Sequence, residues 1–494
     1  MLRYIFAYIL IYILWLIRRL ISFDGRSYLV LFAPPLQPFL AWVARERSYA
    51  VFYKARRTCP AYQKFLEAEN YQEKGAWKIE NVPIMTKENY VKKYSIEERC
   101  FGGRIPAPGT VIDESSGSSG VPNNWVRSAE EREDVRRILQ LNYEIIYNDD
   151  QCILLNCFAL GPWATGMNVS MSLVDVGILK SIGPDAQKLE NTLILFGAKY
   201  RYLIFGYPPF IKSWLDNTTL SLSEYKMDAV VGGEGMSESL RSFMLKSFKT
   251  VVSSYGASDL EINIGVETEL TIALRHLCFE NRELCETIFG SETPPMIFQY
   301  NAADYLIETS PDGELLFSIV RFTGAAPKIR YNLRDLGGTF SSKKLREKLS
   351  ANGVNIADLA KRQSAFPLLY VHGRGDLSVP FYGAKVFPTN LEEIINTHPQ
   401  LVGKINSFQI MSQEDSELKR TLLIHLEKMK NDQADLPNLD ELHEIFFTEL
   451  CRVNQDFREV TKMFDKTCVK INLHDFETGV FAGRDIRVKN KYIG

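Results

Sequence analysis

The sequence lacks a strong excess of charge of either sign. Its 494 residues carry 58 Lys and Arg against 60 Asp and Glu, which gives a formal net charge of −2. A protein that binds nucleic acid is expected to present an excess of basic side chains to the phosphates. The composition therefore argues against nucleic acid as a partner.

Cysteine patterns typical of disulfide frameworks or zinc sites are absent as well. The chain has eight cysteines, and no two of them form a CxxC pair. His276, Cys278 and Cys285 lie close together in sequence, but their spacing matches no common zinc motif. A reducing compartment fits this cysteine usage best.

The N-terminus carries an uncharged stretch that is short for a membrane span. Residues 4–17 contain no charged side chain, and as a helix they would extend about 21 Å, against a hydrocarbon layer of about 30 Å. We predict that residues 1–45 form a membrane-associating segment, while the alternative is a buried helix of the following domain. Arg18 and Arg19 follow the stretch, so we expect from the positive-inside tendency that the following domains lie on the cytoplasmic side.

The remaining chain predicts two folded domains without internal repeats. From Cys152 onward, short apolar runs such as 153–155 and 202–205 alternate with helical patterns, which is typical of an α/β architecture. The pattern changes after about residue 375, where helical stretches flank a strand-like run at 422–426. The sequence thus predicts a large α/β domain over 46–375 and a smaller α+β domain over 376–494.

A run of small and hydroxyl residues is the first candidate for a binding site. It comprises Ser115, Ser116, Gly117, Ser118, Ser119 and Gly120, and it lies between a predicted strand and a predicted helix over 128–146. Backbone N–H groups and hydroxyls in such a loop bind phosphate oxygens well. The run lacks the GK[ST] ending of a Walker loop, and a flexible linker is the alternative interpretation.

Two further segments carry charge beside glycine. Asp335 follows Arg330 and Tyr331 and precedes two glycines, and its carboxylate offers acceptors that suit ribose hydroxyls. Arg374 stands in a Gly-Arg-Gly-Asp sequence near the predicted domain boundary, which suits a hinge with a cation that faces phosphate or ribose. Plain charged loops are the alternative in both places.

The order of these segments resembles that of the adenylate-forming enzyme superfamily, and in particular its phenylacetate-coenzyme A ligase-like branch. The resemblance covers roughly residues 46–494. It rests on the hydroxyl and glycine loop, a GGE segment at Gly232, Gly233 and Glu234, a YGxSE-like segment from Tyr255 and Gly256 to Asp259, an RYxxxD segment ending at Asp335, and a GRxD-like hinge at 373–376.

The resemblance implies the following roles. ATP binds through the phosphate loop, the GGE segment, Asp335 and Arg374, with adenine packed on Tyr255 and Mg²⁺ near Asp259. The smaller domain is mobile and rotates about Asp376, and a lysine from it serves catalysis together with Arg374. Coenzyme A, or the phosphopantetheine of an acyl carrier protein, accepts the acyl group.

Three positions depart from the family pattern. Val121 stands where the phosphate loop often has Lys, and Asp259 stands where Glu is usual. The C-terminal lysine normally follows a glycine, whereas Lys489 and Lys491 here have none before them, and either is a candidate.

The predicted function is ATP-dependent activation of an aryl or fatty carboxylic acid to an acyl-adenylate with release of pyrophosphate, followed by transfer to a thiol. Two alternatives stay open at this point: an adenylate-dependent amide synthetase, and a membrane-bound nucleotide-binding pseudoenzyme without catalytic activity.

Overall fold

The computed structural model describes most of the chain after residue 32. It covers residues 5–6, 8–9, 13, 16 and 33–482, with gaps at 116–122, 148–150, 234, 237, 292–293, 361–365, 375–378, 387, 416–418, 430–435 and 465. Most of the predicted membrane-associating segment, the loop after Ser115, Glu234, Asp376 and both candidate lysines lie outside the described residues.

Eleven strands form one large sheet, and a two-stranded sheet precedes them in the chain. The two-stranded sheet consists of β1 (Val111–Ser115) and β2 (Asn123–Arg127). The large sheet contains β3 (Ile153–Asn156), β4 (Ile178–Ser181), β5 (Arg201–Gly206), β6 (Lys226–Gly232), β7 (Val251–Tyr255), β8 (Gly265–Val266), β9 (Met296–Tyr300), β10 (Tyr305–Thr309), β11 (Glu314–Ile319), β12 (Tyr331–Phe340) and β13 (Leu368–Arg374).

The large sheet has a parallel half and an antiparallel half. Its order is β10-β11-β12-β13-β9-β8-β7-β6-β5-β3-β4, and β3 to β7 pair in parallel. The strands from β8 to β13 pair with their neighbours in antiparallel fashion. Strands β3 and β5 are nearly continuous buried runs, as expected for strands that are covered on both faces, whereas β4 lies at the edge of the sheet and is largely exposed. The predicted α/β class is confirmed.

Helices precede these strands and connect them. They are α1 (Gln37–Thr58), α2 (Pro60–Ala68), α3 (Ala129–Ile146), α4 (Ala164–Leu173), α5 (Ala186–Phe196), α6 (Pro208–Asn217), α7 (Glu238–Met244), α8 (Glu269–Glu280), α9 (Arg282–Phe289), α10 (Ser342–Ala351) and α11 (Ile356–Leu359). Helix α3 begins after Ser128, whose side chain accepts from the Glu131 backbone N–H.

Helix α1 crosses the predicted boundary at residue 45. Leu40, Val43 and Ala44 are buried, and Leu40 packs with Leu141 of α3. Among the described residues, no helix combines the length and apolar character that crossing a membrane requires. Leu40, Val43 and Ala44 thus contribute to the folded core.

The chain divides into two compact units, and the boundary after the large sheet falls between Gly375 and Asp376. The second unit has its own apolar core. It contains a hairpin of β14 (Val379–Phe381) and β15 (Ala384–Val386), a sheet of β16 (Ile405–Glu414), β17 (Arg420–Lys428) and β18 (Val469–His474), and helices α12 (Pro388–Thr397), α13 (Leu439–Val453) and α14 (Gln455–Thr461).

Candidate active site

Two of the predicted motifs begin at the carboxyl ends of neighbouring parallel strands. Gly232 ends β6 and Tyr255 ends β7, and Gly232 pairs with Ser254 in the register of these strands. Carboxyl ends of parallel strands meet at the same edge of a sheet, where α/β proteins commonly bind ligands. The fold therefore brings the GGE and YGxSE-like segments to one edge.

Close packing explains two of the glycines at this edge. Gly233 has φ of +85°, and a Cβ there would lie 2.7 Å from a ring carbon of Tyr207. A Cβ on Gly256 would lie 2.7 Å from the Asn263 backbone nitrogen and 2.8 Å from the Glu261 carbonyl oxygen. Larger residues at either position would force the segment to move.

Tyr255 and Asp335 meet although 80 residues separate them. The Tyr255 hydroxyl donates to Asp335 Oδ2 at 2.6 Å, and the Asp335 side chain is buried. The Tyr255 ring packs against Phe298 and Phe317, with centroid separations of 5.5 Å and 6.0 Å. In the pairing of β12 with β13, Asp335 lies opposite Arg374. Three of the predicted nucleotide-binding positions are thus neighbours in the first unit.

A second tyrosine–aspartate hydrogen bond joins the same two motifs. Here the second motif supplies the tyrosine and the first supplies the aspartate. The Tyr331 hydroxyl donates to Asp259 Oδ2 at 2.8 Å, and Lys87 Nζ lies 3.3 Å from the same oxygen. Burial, and then the charge of Asp259, raises the pKa of Tyr331 well above its usual value, so Tyr331 remains a donor. The YGASD and RYNLRD segments are therefore fixed to each other at two points.

The described residues do not by themselves fit a magnesium ion at Asp259. Mg²⁺ prefers octahedral oxygen ligands, whereas the Asp259 oxygen accepts from a tyrosine and lies beside a lysine ammonium. No group of three or more His, Cys, Asp or Glu side chains among the described residues is placed to hold a metal ion. The role of Asp259 as a metal ligand stays a prediction.

A buried arginine, Arg127, holds together several segments around this site. Arg127 of β2 pairs with Asp113 of β1 at 3.1 Å and with Glu131 of α3 at 3.1 Å. It also donates to the carbonyl oxygens of Leu260 and Ser258. Arg127 thus connects β1, β2 and α3 to the turn that carries Asp259.

Sequence reasoning missed three basic residues near Asp259. Lys87 lies in a short helical turn (Lys87–Val91) that Thr86 caps. Lys328 lies two residues before Arg330, and Arg99 is partly buried beside Trp125. The one signal in the sequence was that Lys328 lies just before the RYxxxD segment, because nothing in the local pattern predicts that a lysine is buried.

Arg330, in contrast, has a structural role. Its guanidinium donates to Glu308 at 3.2 Å and to the carbonyl oxygens of Glu80 and Val82 at 3.0 Å and 2.5 Å. The backbone of Arg330 has φ of +50° and that of Arg334 has φ of +62°. Such values are uncommon for non-glycine residues and require support from the surrounding structure.

Several predicted site residues remain untested. Ser116, Gly117, Ser118, Ser119, Gly120, Glu234, Asp376, Lys489 and Lys491 lie outside the described residues. For Ser115 and Arg374 the structure gives the strand positions, at the ends of β1 and β13. Their predicted roles stay predictions.

Comparison with solved structures gives clear likenesses. No protein-family model matches the chain, and no curated protein sequence matches it. The structure is similar to 2-hydroxyisobutyryl-CoA ligase in complex with 2-HIB-AMP and CoA in the thioesterification state, with a TM-score of 0.60, 12% identity, and coverage of 93% of this chain and 90% of the ligase. The same ligase in the postadenylation state with 2-HIB-AMP gives a TM-score of 0.50, 12% identity, and coverage of 92% and 88%.

At 12% identity, these likenesses establish the fold alone. The phenylacetate-coenzyme A ligase-like branch stays a prediction. The chain has the fold of the adenylate-forming enzymes.

Proposed function

We propose that this protein activates a carboxylic acid with ATP and then passes the acyl group to a thiol. The observation that carries the proposal is the pair of tyrosine–aspartate hydrogen bonds that holds the YGASD and RYNLRD segments together on this fold. The similar ligase binds an acyl-adenylate and CoA in one structure, which supports coenzyme A as the acceptor.

In the first half-reaction, a carboxylate oxygen of the acid attacks the α-phosphorus of ATP. The new bond joins this oxygen to phosphorus, the bond from the α-phosphorus to the bridging oxygen breaks, and pyrophosphate leaves with the electron pair. Such a reaction needs charge stabilisation and alignment more than proton transfer. Mg²⁺ enters in this proposal as part of the ATP substrate.

In the second half-reaction, the thiolate of coenzyme A attacks the acyl carbon and AMP leaves. We assign Asp335 to the ribose hydroxyls, which a carboxylate accepts well. Arg374, and Lys489 or Lys491, would stabilise charge on the phosphates, and Asp376 would act as the hinge between the half-reactions. Membrane association through residues 1–45 and a cytoplasmic location of the catalytic domains belong to the same proposal.

The decisive experiment is carboxylate-dependent exchange of labelled pyrophosphate into ATP. A panel of aryl and fatty acids should contain at least one that supports exchange, and release of AMP should then depend on coenzyme A. Failure of every acid, with ATP still bound, would favour a nucleotide-binding pseudoenzyme. Exchange that is followed by product formation with amines but not with coenzyme A would replace the thiol acceptor with an amine.

The roles of the two lysines separate by half-reaction. Lys489→Ala is expected to lose exchange yet still convert a supplied acyl-adenylate to the thioester, with Lys491→Ala as the matched variant. If Lys491→Ala gives this pattern instead, the role belongs to Lys491.

A further inference from the structure

Lys328 is a buried lysine without a carboxylate partner among the described residues. Its exposed fraction is 9%, and its Nζ lies 3.7 Å from the centroid of the Trp125 ring and 5.4 Å from that of Tyr331. No hydrogen bond or ion pair of this ammonium occurs within the part of the chain that the structure describes. A buried ammonium without an acceptor is costly unless another group neutralises it.

Arg99 brings a second cation to the same tryptophan. Its guanidinium carbon lies 5.7 Å from the centroid of the Trp125 ring. Among the described residues, its one hydrogen bond is a long contact of 3.4 Å from a terminal nitrogen to the Asn124 carbonyl oxygen. Its Nε is buried and has no hydrogen-bond partner there. Two cationic side chains beside Trp125 therefore retain unused donors.

The nearby carboxylates form their ion pairs with other cations. Asp113 and Glu131 pair with Arg127, and Asp259 pairs with Lys87. Burial, and then the charges of Arg127 and Arg99, lowers the pKa of Lys328 well below its usual value, while Asp259 and Glu131 oppose that shift. Neither Lys328 nor Arg99 has an ion pair among the described residues, and an added anion would accept from the donors that these residues leave unused.

We infer that Lys328 and Arg99 bind an anion beside Trp125, and that this anion is the pyrophosphate end of ATP. The identity of the anion rests on the proposed function. Trp125 lies in β2, which begins directly after the residues predicted to form the phosphate loop. Val121 stands where that loop often has lysine. Lys328, which lies far from this loop in sequence, would supply the cation that the loop lacks at Val121.

The test compares Lys328→Met with a matched control, Lys54→Met. Lys54 is also a partly buried lysine beside aromatic rings, 4.0 Å from Phe101, but its Nζ donates to the Phe322 carbonyl oxygen at 2.9 Å. Thermal unfolding is measured for each protein alone and in titrations of inorganic pyrophosphate, ATP and AMP.

We expect Lys328→Met to weaken pyrophosphate and ATP binding by at least about tenfold and to leave AMP binding unchanged, because AMP lacks the two distal phosphates. Without ligand, this variant should be at least as stable as the wild-type protein, since an unpaired buried charge has been removed. Lys54→Met should retain the wild-type response to pyrophosphate.

Wild-type pyrophosphate affinity in Lys328→Met would overturn the inference, and so would equal loss of AMP binding. If Lys328→Met does not fold, Arg99→Gln takes its place, and unchanged pyrophosphate affinity in that variant has the same meaning. The exchange assay distinguishes the two proposals: pyrophosphate binding that depends on Lys328 without exchange keeps the anion site and removes the proposed function. Exchange activity together with unaltered pyrophosphate binding in Lys328→Met keeps the proposed function and removes the anion site.

Discussion

Asp335 is a buried carboxylate that already accepts one hydrogen bond from within the protein. Tyr255 donates to one of its oxygens at 2.6 Å. A carboxylate offers about four acceptor positions, so this bond is compatible with ribose hydroxyls on the others. Replacement of Asp335 by alanine would therefore affect the fold as well as the substrate, because the Tyr255 hydroxyl would lose this acceptor.

Asp335→Asn separates these effects. The amide oxygen still accepts from Tyr255, while the negative charge and two acceptor sites are lost. We expect a KM for ATP in the exchange assay roughly 10- to 100-fold higher, because a hydrogen bond to a charged group contributes about 1.5–3 kcal/mol. Tyr255→Phe is the control, since it removes the donor and keeps the carboxylate. Unchanged KM in Asp335→Asn would refute the ribose assignment.

Because Lys328 is buried, we also expect the stability of the protein to depend on pH. Its pKa in the folded protein is lowered well below 10.5 by burial and by the charges of Arg127 and Arg99. Between the folded and unfolded pKa values the unfolded chain binds more protons, so this group makes the free energy of unfolding rise with pH up to about 10.5. The contribution is absent in Lys328→Met.

Urea unfolding of both proteins across alkaline pH measures this contribution. The stability difference between Lys328→Met and wild type should shrink as pH rises through the lowered pKa. A difference that is constant over this range would mean that Lys328 does not titrate there. Protonation also favours anion binding, so pyrophosphate affinity of the wild type should fall over the same range.

At the scale of elements, Arg127 fixes three segments that surround the site. Its partners lie on β1, on α3 and in the turn at 258–260. All of these groups are buried or nearly so, and removal of one partner from a buried ion pair leaves charges without compensation. The position of Asp259 therefore depends on an arginine that need not touch substrate.

We expect Arg127→Met to lower the free energy of unfolding by about 3–5 kcal/mol. Arg136→Met is the matched control, because Arg136 pairs with Glu133 and Asp175 at the surface, where such pairs contribute about 0–1 kcal/mol. Urea denaturation measures both changes. A loss in Arg127→Met no larger than that in the control would show that the network contributes little to stability.

At the scale of the whole molecule, the two units divide where the hinge is predicted. The boundary falls between Gly375 and Asp376. Proline at position 376 would restrict φ to about −65° and remove a backbone N–H. We expect Asp376→Pro to slow thioester formation much more than pyrophosphate exchange, as single-turnover kinetics of each half-reaction would measure. Asp376→Ala is the control, and equal loss of both half-reactions in the proline variant would remove the argument for rotation about this residue.

The sequence by itself predicted the local elements and the order of the motifs. The helix predicted over 128–146 is α3, and the apolar runs at 153–155 and 202–205 are β3 and β5. Helical and strand periodicities are local properties, so a single sequence contains them. The order of the motifs likewise led to the adenylate-forming fold without any coordinates.

Only the tertiary structure decided which side chains meet. Tyr255 reaches Asp335, and Tyr331 reaches Asp259, although β13, β9 and β8 lie between β12 and β7 in the large sheet. The order of the strands in the sheet differs from their order in the chain, so the sequence does not state it. The register of β12 with β13 shifts between Leu336 and Gly337, and such an irregularity leaves no periodic signal. Burial of Lys328 beside Trp125 depends on packing between segments about 200 residues apart in sequence. Long-range pairing and burial follow from the sum of many contacts, whereas local patterns report each segment alone.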